Sequence, residues 1–263
     1  MADAVEPDAV QSEIPHAARI WNYWMGGKDN YESDRAAGDS VAAVYPEIVT
    51  MARESRRFLI RAVTYLADEC GVRQFIDVGT GLPTMENTHE VAQHVAPESR
   101  IVYVDNDPMV LVHARALLGN TTPEGVTTYV HADYHDPDLI LAEAREVLDF
   151  GEPVAVMFMG VLGYEPDLAV VRGIVGRLMD AVPSGSHLVL WDGTDTGSEV
   201  VDGAEKLVES GGVPYVLRAP AQLARCFEGL ELAEPGLVPI TGWRPDDDAP
   251  APIDAYGAVG RKS

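Results

Sequence analysis

The run Phe75-Ile-Asp-Val-Gly-Thr-Gly-Leu-Pro-Thr-Met85 decides how the rest of the chain is read. A short apolar strand leads into a glycine turn, and helical texture follows from about residue 84 to 96. In open α/β sheets ligands bind outside the carboxyl ends of the strands, where such turns lie. Gly79 and Gly81 lack the Cβ atoms that would hold the backbone away from a ligand, and Thr80 lies between them. Asp77 is placed to accept a hydrogen bond from a ligand amine or an ordered water. The turn reads D-x-G-x-G-x-P. Thr84 stands where a dinucleotide fingerprint puts its third glycine. Pro83 has no N–H to offer a phosphate but suits the first turn of a helix, so the turn favours a nucleoside ligand without phosphate.

Outward from this run the texture alternates. Strand-like segments at 74–79, 101–105, 126–131, 153–159 and 186–191 are separated by helical patterns at 84–96, 108–119, 137–149 and 166–182. That alternation predicts a doubly wound, mostly parallel sheet with helices on both faces. A helix is expected at 219–228, then strands near 230–240 and 254–261, joined by the Pro- and Asp-rich surface stretch 245–252. Two closing strands without a helix between them imply a hairpin, and hence an antiparallel strand. Toward the amino terminus, residues 1–15 read as a mobile acidic tail. Residues 16–70 read as a helical cap, with helices ending at Gly26-Gly27 and covering 33–44 and 47–69. Phe58, Ala62, Tyr65 and Leu66 share one apolar face. The ligand-binding domain is expected over 71–263.

Composition narrows the function classes. The 263 residues suit one large domain, and 46% hydrophobic residues suffice for a sizeable core. Forty-two acidic residues against nineteen basic ones give a net charge of −23. No basic run exceeds the pair Arg56-Arg57, which argues against a nucleic-acid partner; the charge reads as solubility. Cys70 and Cys226 make neither a disulfide framework nor a metal spacing, which fits a reducing cytoplasm. The first residues lack the basic and apolar regions of a signal peptide, and the longest apolar stretch, 154–162, is too short to span a bilayer. Oligomeric state is left open.

Candidate ligand contacts follow from position. Asp105 closes the second strand, where an acidic side chain can take both ribose hydroxyls, and Asn106 would flank an adenine. Asp107-Pro108 reads as a helix N-cap with proline at N1. Asp133 is placed to accept the adenine amino group, with Tyr134 over the ring; capping of the next helix is the alternative. Met159 and Gly160 end the fourth strand, where Gly160 permits close backbone approach. The block Asn22, Gly26, Gly27, Lys28, Asp29, Asn30 and Arg35 is dense in polar groups. Either it folds over the ligand with Lys28 or Arg53 near a ligand carboxylate, or it is an inter-helix turn capped by glycine. Tyr31, His135 and Tyr164 are candidate contacts to a second substrate, and His135 or Tyr164 could serve as general base. Trp21, Tyr23 and Tyr31 offer aromatic faces to a cation. The seven histidines are scattered without a metal spacing.

The stretches PHAARIWNYWMGGKDNYESDR (15–35), FIDVGTGLPT (75–84), VYVDNDP (102–108) and GLELAEPGLVPITGWRPD (229–246) resemble a bacterial family of S-adenosylmethionine methyltransferases long catalogued as a domain of unknown function. The resemblance runs from residue 15 to the end. It implies a class I methyltransferase fold of seven strands with the last antiparallel, S-adenosylmethionine as cofactor, and no settled acceptor. Asp77, Gly79, Gly81, Asp105 and Asp133 match the general class I motifs, while Pro83 stands where many such enzymes have a third glycine. The expected activity is direct in-line methyl transfer to a small-molecule acceptor. Two other readings are a non-catalytic module binding S-adenosylmethionine or S-adenosylhomocysteine, and a nicotinamide-dependent oxidoreductase. The latter is disfavoured by Thr84 and by the lack of a Tyr-x-x-x-Lys set.

Overall fold

The computed structural model describes residues 12–83, 86–110, 112 and 119–263. Most of the tail expected at 1–15, the first residues of the helix expected at 84–96, and most of the helix expected at 108–119 therefore lie outside the described residues. The parallel strands are β1 (Gln74–Val78), β2 (Arg100–Asp105), β3 (Val126–His131), β4 (Ala155–Met159) and β5 (His187–Gly193). β6 (Leu230–Leu232), β7 (Val238–Pro239) and β8 (Ala255–Lys262) close the sheet, whose order is β3-β2-β1-β4-β5-β8-β6. β8 runs antiparallel to β5 on one side and to β6 on the other. β7 also pairs with β8, Val238 lying opposite Gly257, while Leu232 lies opposite Gly260. β6 and β7 are thus two pieces of one strand row interrupted at 233–237. The expected strand at 230–240 is real but broken, and the sheet has seven rows.

Side-chain alternation sends the two sheet faces into two cores. Phe75, Ile101, Met157, Val189 and Val259 belong to one; Ile76, Val102, Phe158, Leu188 and Ala258 belong to the other. β1 and β5 are buried along their whole length, as inner strands covered on both faces must be. The first face is covered by α3 (Glu47–Asp68) and α4 (Thr88–Val95). Phe58, Ala62 and Leu66 of α3 are fully buried, as their four-residue spacing predicts, while Tyr65 stays partly exposed beside Trp243. The second face is covered by α5 (Pro137–Arg145) and α6 (Leu168–Ala181).

The stretch 16–70 packs in two ways. α3 lies against the sheet, whereas α1 (Ala17–Trp24) and α2 (Glu32–Val44) lie over the strand ends. They are joined there by α7 (Ser198–Glu209), a helix the sequence reading did not anticipate. α7 packs on α2 through Gly203, which comes close to Tyr45, and the Ser40 and Ser210 hydroxyls bond at 2.6 Å. The Tyr45 hydroxyl donates to Asp254 Oδ2 at 3.2 Å, tying α2 to the start of β8. The helix expected at 219–228 is a short α8 (Pro220–Leu223) continued by a 3-10 turn at Ala224–Phe227. No helix among the described residues is long and apolar enough to cross a membrane.

Candidate functional site

A cavity of about 570 Å³ opens between the carboxyl ends of β1, β2, β4 and β5 and the helices α1, α2 and α7. That volume lies within the usual range for small-molecule sites. Its strand-end wall starts at the β1 turn, where Gly79 and Gly81 have φ of +71° and +63°. A Cβ on Gly79 would run into Val161, whereas Gly81 faces open space, so only the second is a cradle by position as well as conformation. The amides of Gly79 and Thr80 both donate to the Val104 carbonyl. Gly81 N donates to Asp105 Oδ2, and Asp107 N donates to Asp105 Oδ1, each at 3.0 Å. The carboxylate closing β2 therefore holds the turn that follows β1. Burial pushes the Asp105 carboxyl above its ordinary value despite those two amides. Asp77 accepts the Thr88 hydroxyl at 2.6 Å, and burial pushes its carboxyl up to about 6.

Asn106, Asp133, Tyr134 and His135 all line the same cavity. Asn106 Nδ2 donates to Asp133 Oδ2 at 2.8 Å, while Asp133 Oδ1 takes the His135 amide and ring Nδ1. His135 Nε2 reaches Glu165 Oε2 at 2.7 Å. The bond to Glu165, with Asp133 on the other nitrogen, holds the imidazole above its ordinary pKa. Both ring nitrogens thus face carboxylates, and the imidazole bridges the loops after β3 and β4. Tyr164 also lines the cavity, edge-on to Tyr215 at 5.0 Å, and burial raises its hydroxyl's pKa far above neutrality.

The amino-terminal block behaves otherwise. Lys28 and Arg53 are exposed, Tyr31 is 43% exposed beneath the Arg19 guanidinium, and none of the three lines the cavity. Asn22 Oδ1 accepts Asp29 N and Asn30 Nδ2, both at 3.0 Å, and Arg35 donates to Asn30. Asp34, fully buried, pairs with Arg19 at 2.8 Å and accepts the amides of His16 and Tyr31. The polar groups are consumed by the inter-helix turn itself, with Gly26 at φ +82°.

Among the described residues, Arg56 is the one arginine or lysine that lines the cavity. Its Nε is buried with no hydrogen-bond partner among the described residues, and burial lowers its pKa against the pull of Asp77. The sequence carried a signal for it: Arg56 falls four residues after Ala52 and three before Leu59, inside the buried stripe of α3.

Aromatic side chains form the far wall. Trp21 stacks on Trp191 at 5.9 Å and 28°, and meets Trp24 edge-on at 5.6 Å. A Cβ on Gly160 (φ +75°) would lie 2.5 Å from the Trp191 indole. Trp191, which the sequence reading missed, thus packs directly against Gly160. Met159 lies beside it in the lining. Behind Trp191, buried Asp192 accepts the Tyr215 hydroxyl and lies 4.0 Å from the Arg218 guanidinium, and burial pushes it up to about 7. Arg218 donates to the carbonyls of Leu162 and Glu165, so this network fixes the segment around Tyr215 onto the loop after β4.

Comparison with known proteins agrees with this architecture. The family model described as S-adenosyl methyltransferase matches residues 3–263. A crystal structure of a DUF574-family protein from Streptomyces avermitilis is 44% identical with a TM-score of 0.91, covering 96% of this chain and 99% of that one. A Thermobifida fusca protein assigned provisionally as a methyltransferase is 39% identical, with a TM-score of 0.88 and full coverage of both chains. The mitomycin 7-O-methyltransferase MmcR, 16% identical with a TM-score of 0.53, covers 93% of this chain and 68% of its own and shares the fold. A search of curated proteins finds no match. The chain belongs to the S-adenosyl methyltransferase family, and its fold is the class I, Rossmann-like one.

Proposed function

We propose that this S-adenosylmethionine-dependent methyltransferase moves a methyl group directly, in line, to a small acceptor enclosed beneath α1, α2 and α7. The observation that carries the reading is the β1 turn: Gly81 open to the cavity, braced from behind by Asp105. The residues present fit the cofactor. Asp105 retains lone pairs for the ribose hydroxyls, since each carboxylate oxygen accepts more than one bond. Asn106 and Asp133 meet at the expected adenine edge, with Tyr134 beside them. Asp77 suits the cofactor's ammonium. The orphaned Nε of Arg56, in place of Lys28 or Arg53, suits its carboxylate. Gly79, Thr80, Met159 and Gly160 form the floor.

When bound, S-adenosylmethionine supplies a methyl group on a sulfonium, whose leaving group is a neutral thioether. The protein's part is to orient and to exclude water. The clamp of His135 between Asp133 and Glu165 fixes the loops after β3 and β4, and the Trp21–Trp191 stack shuts the helices onto the sheet. Free thiols at Cys70 and Cys226 and the acidic surface support a cytoplasmic enzyme of small molecules and not of nucleic acids.

Titration calorimetry with S-adenosylmethionine and S-adenosylhomocysteine tests this. Micromolar binding is expected, about −8 kcal/mol. Asp105→Ala should cost about 3 kcal/mol, more than a hundredfold, by removing charge-assisted bonds. Absence of binding to both compounds would overturn the reading.

A further inference from the structure

The cavity has two chemically different walls. Its charged lining comes from the strand ends and α3: Asp77, Asp105, Asp107, Asp133, Arg56 and the imidazole of His135. His16, the N-cap of α1, is already paired with Asp107 at 2.9 Å. The helices contribute nothing ionic to the other wall. α1 places Trp21, Trp24 and Met25 there, and α7 places Val200, Gly203, Ala204 and Leu207. Val213 and Leu217, in the segment fixed by Tyr215, complete it. Gly203 packs close against Tyr45, and the stacked indoles of Trp21 and Trp191 both line the cavity.

Within this apolar region one polar group stands out. Tyr164 lines the cavity, yet its hydroxyl makes no hydrogen bond among the described residues. Its neighbour differs: the Tyr215 hydroxyl is spent on Asp192. A lone hydroxyl in an aromatic wall suits a ligand with one polar handle on an apolar body.

We propose that the lobe beneath α1, α2 and α7 takes an uncharged, flat, ring-bearing acceptor whose hydroxyl or neutral amine meets the Tyr164 hydroxyl. This deepens the methyltransferase reading and rests on it. An anionic acceptor would bury its charge against the apolar residues of α1 and α7, in a cavity lined by the carboxylates of Asp77, Asp105, Asp107 and Asp133, at a steep desolvation cost. An ammonium has no lone pair to receive a methyl group. The ring faces gain from stacking on the indoles, and the handle finds the unspent hydroxyl.

The test is calorimetric binding of two probes with one ring skeleton, 2-naphthol and 2-naphthoate, to the protein with and without saturating S-adenosylhomocysteine. 2-Naphthol should bind at least tenfold more tightly than 2-naphthoate. Ala204→Phe, which fills the lobe, should weaken 2-naphthol at least tenfold while S-adenosylhomocysteine affinity stays within twofold. Val213→Trp, at the half-exposed rim, serves the same purpose where Ala204→Phe perturbs folding. Tyr164→Phe keeps the ring and should weaken 2-naphthol about threefold or more, with 2-naphthoate much less affected. Equal or tighter binding of 2-naphthoate would overturn the proposal, as would S-adenosylhomocysteine binding without 2-naphthol binding. 2-Naphthol binding to a protein that binds no S-adenosylhomocysteine would keep the lobe's assignment and overturn the cofactor reading instead.

Discussion

Two glycine-rich polar turns look alike in the sequence and do opposite things. Gly26-Gly27-Lys28-Asp29-Asn30 turns inward: Asn22 and Asn30 satisfy its backbone, and Asp34 holds its flanks. Gly79-Thr80-Gly81 is braced from outside by the Val104 carbonyl and Asp105, leaving Gly81 against open space. Buried polar groups must find partners. The informative question is whether those partners lie within the turn or behind it. A turn that satisfies itself is structural; a turn held by its neighbours has a free face for a ligand.

The comparison can be broken at its strongest point by Asp34→Ala. Removing one partner of a buried pair strands the other, so unfolding free energy should fall by about 3–5 kcal/mol in denaturant titrations. The folded fraction should bind S-adenosylmethionine as before. A cost under about 1 kcal/mol would show that the first turn is not held as described.

Arg56→Gln sharpens the second turn. Loss of a charge-assisted bond should weaken S-adenosylmethionine by about 1.5–3 kcal/mol, roughly 10- to 100-fold. Methylthioadenosine, which lacks the carboxylate, should bind equally to both proteins. Stability should not fall, because the guanidinium Nε has no partner to lose. Equal loss with both ligands would remove Arg56 from its assigned role. The smallest effect belongs to Lys28→Ala: within about 0.5 kcal/mol in stability, as for an ordinary surface change, and no change in cofactor affinity. A tenfold loss of affinity would restore the first turn as part of the site.

The strand ends were readable because their signals are local. A short continuous apolar run and the glycine turn after it are written in adjacent residues, so β1 to β5 lie within two residues of their expected limits. Asp77, Asp105 and Asp133 follow directly, each at or just beyond a strand end. α7 was not readable: Gly203 interrupts a thin apolar stripe whose only burial is against α2 and the cavity. The fate of His135 was hidden as well, since Glu165 lies 30 residues away.

By itself, then, the sequence determined a parallel α/β sheet with an antiparallel close, a nucleoside-type turn and its acidic partners. Tertiary structure alone decided which indole fills the space at Gly160, and that α7 joins α1 and α2 over the site. Arg53 and Arg56 differ by three positions on one helix, and the packing of α3 on the sheet leaves the first in solvent and turns the second to the cavity. Such choices rest on contacts between segments far apart in the chain, where neither periodicity nor local propensity acts.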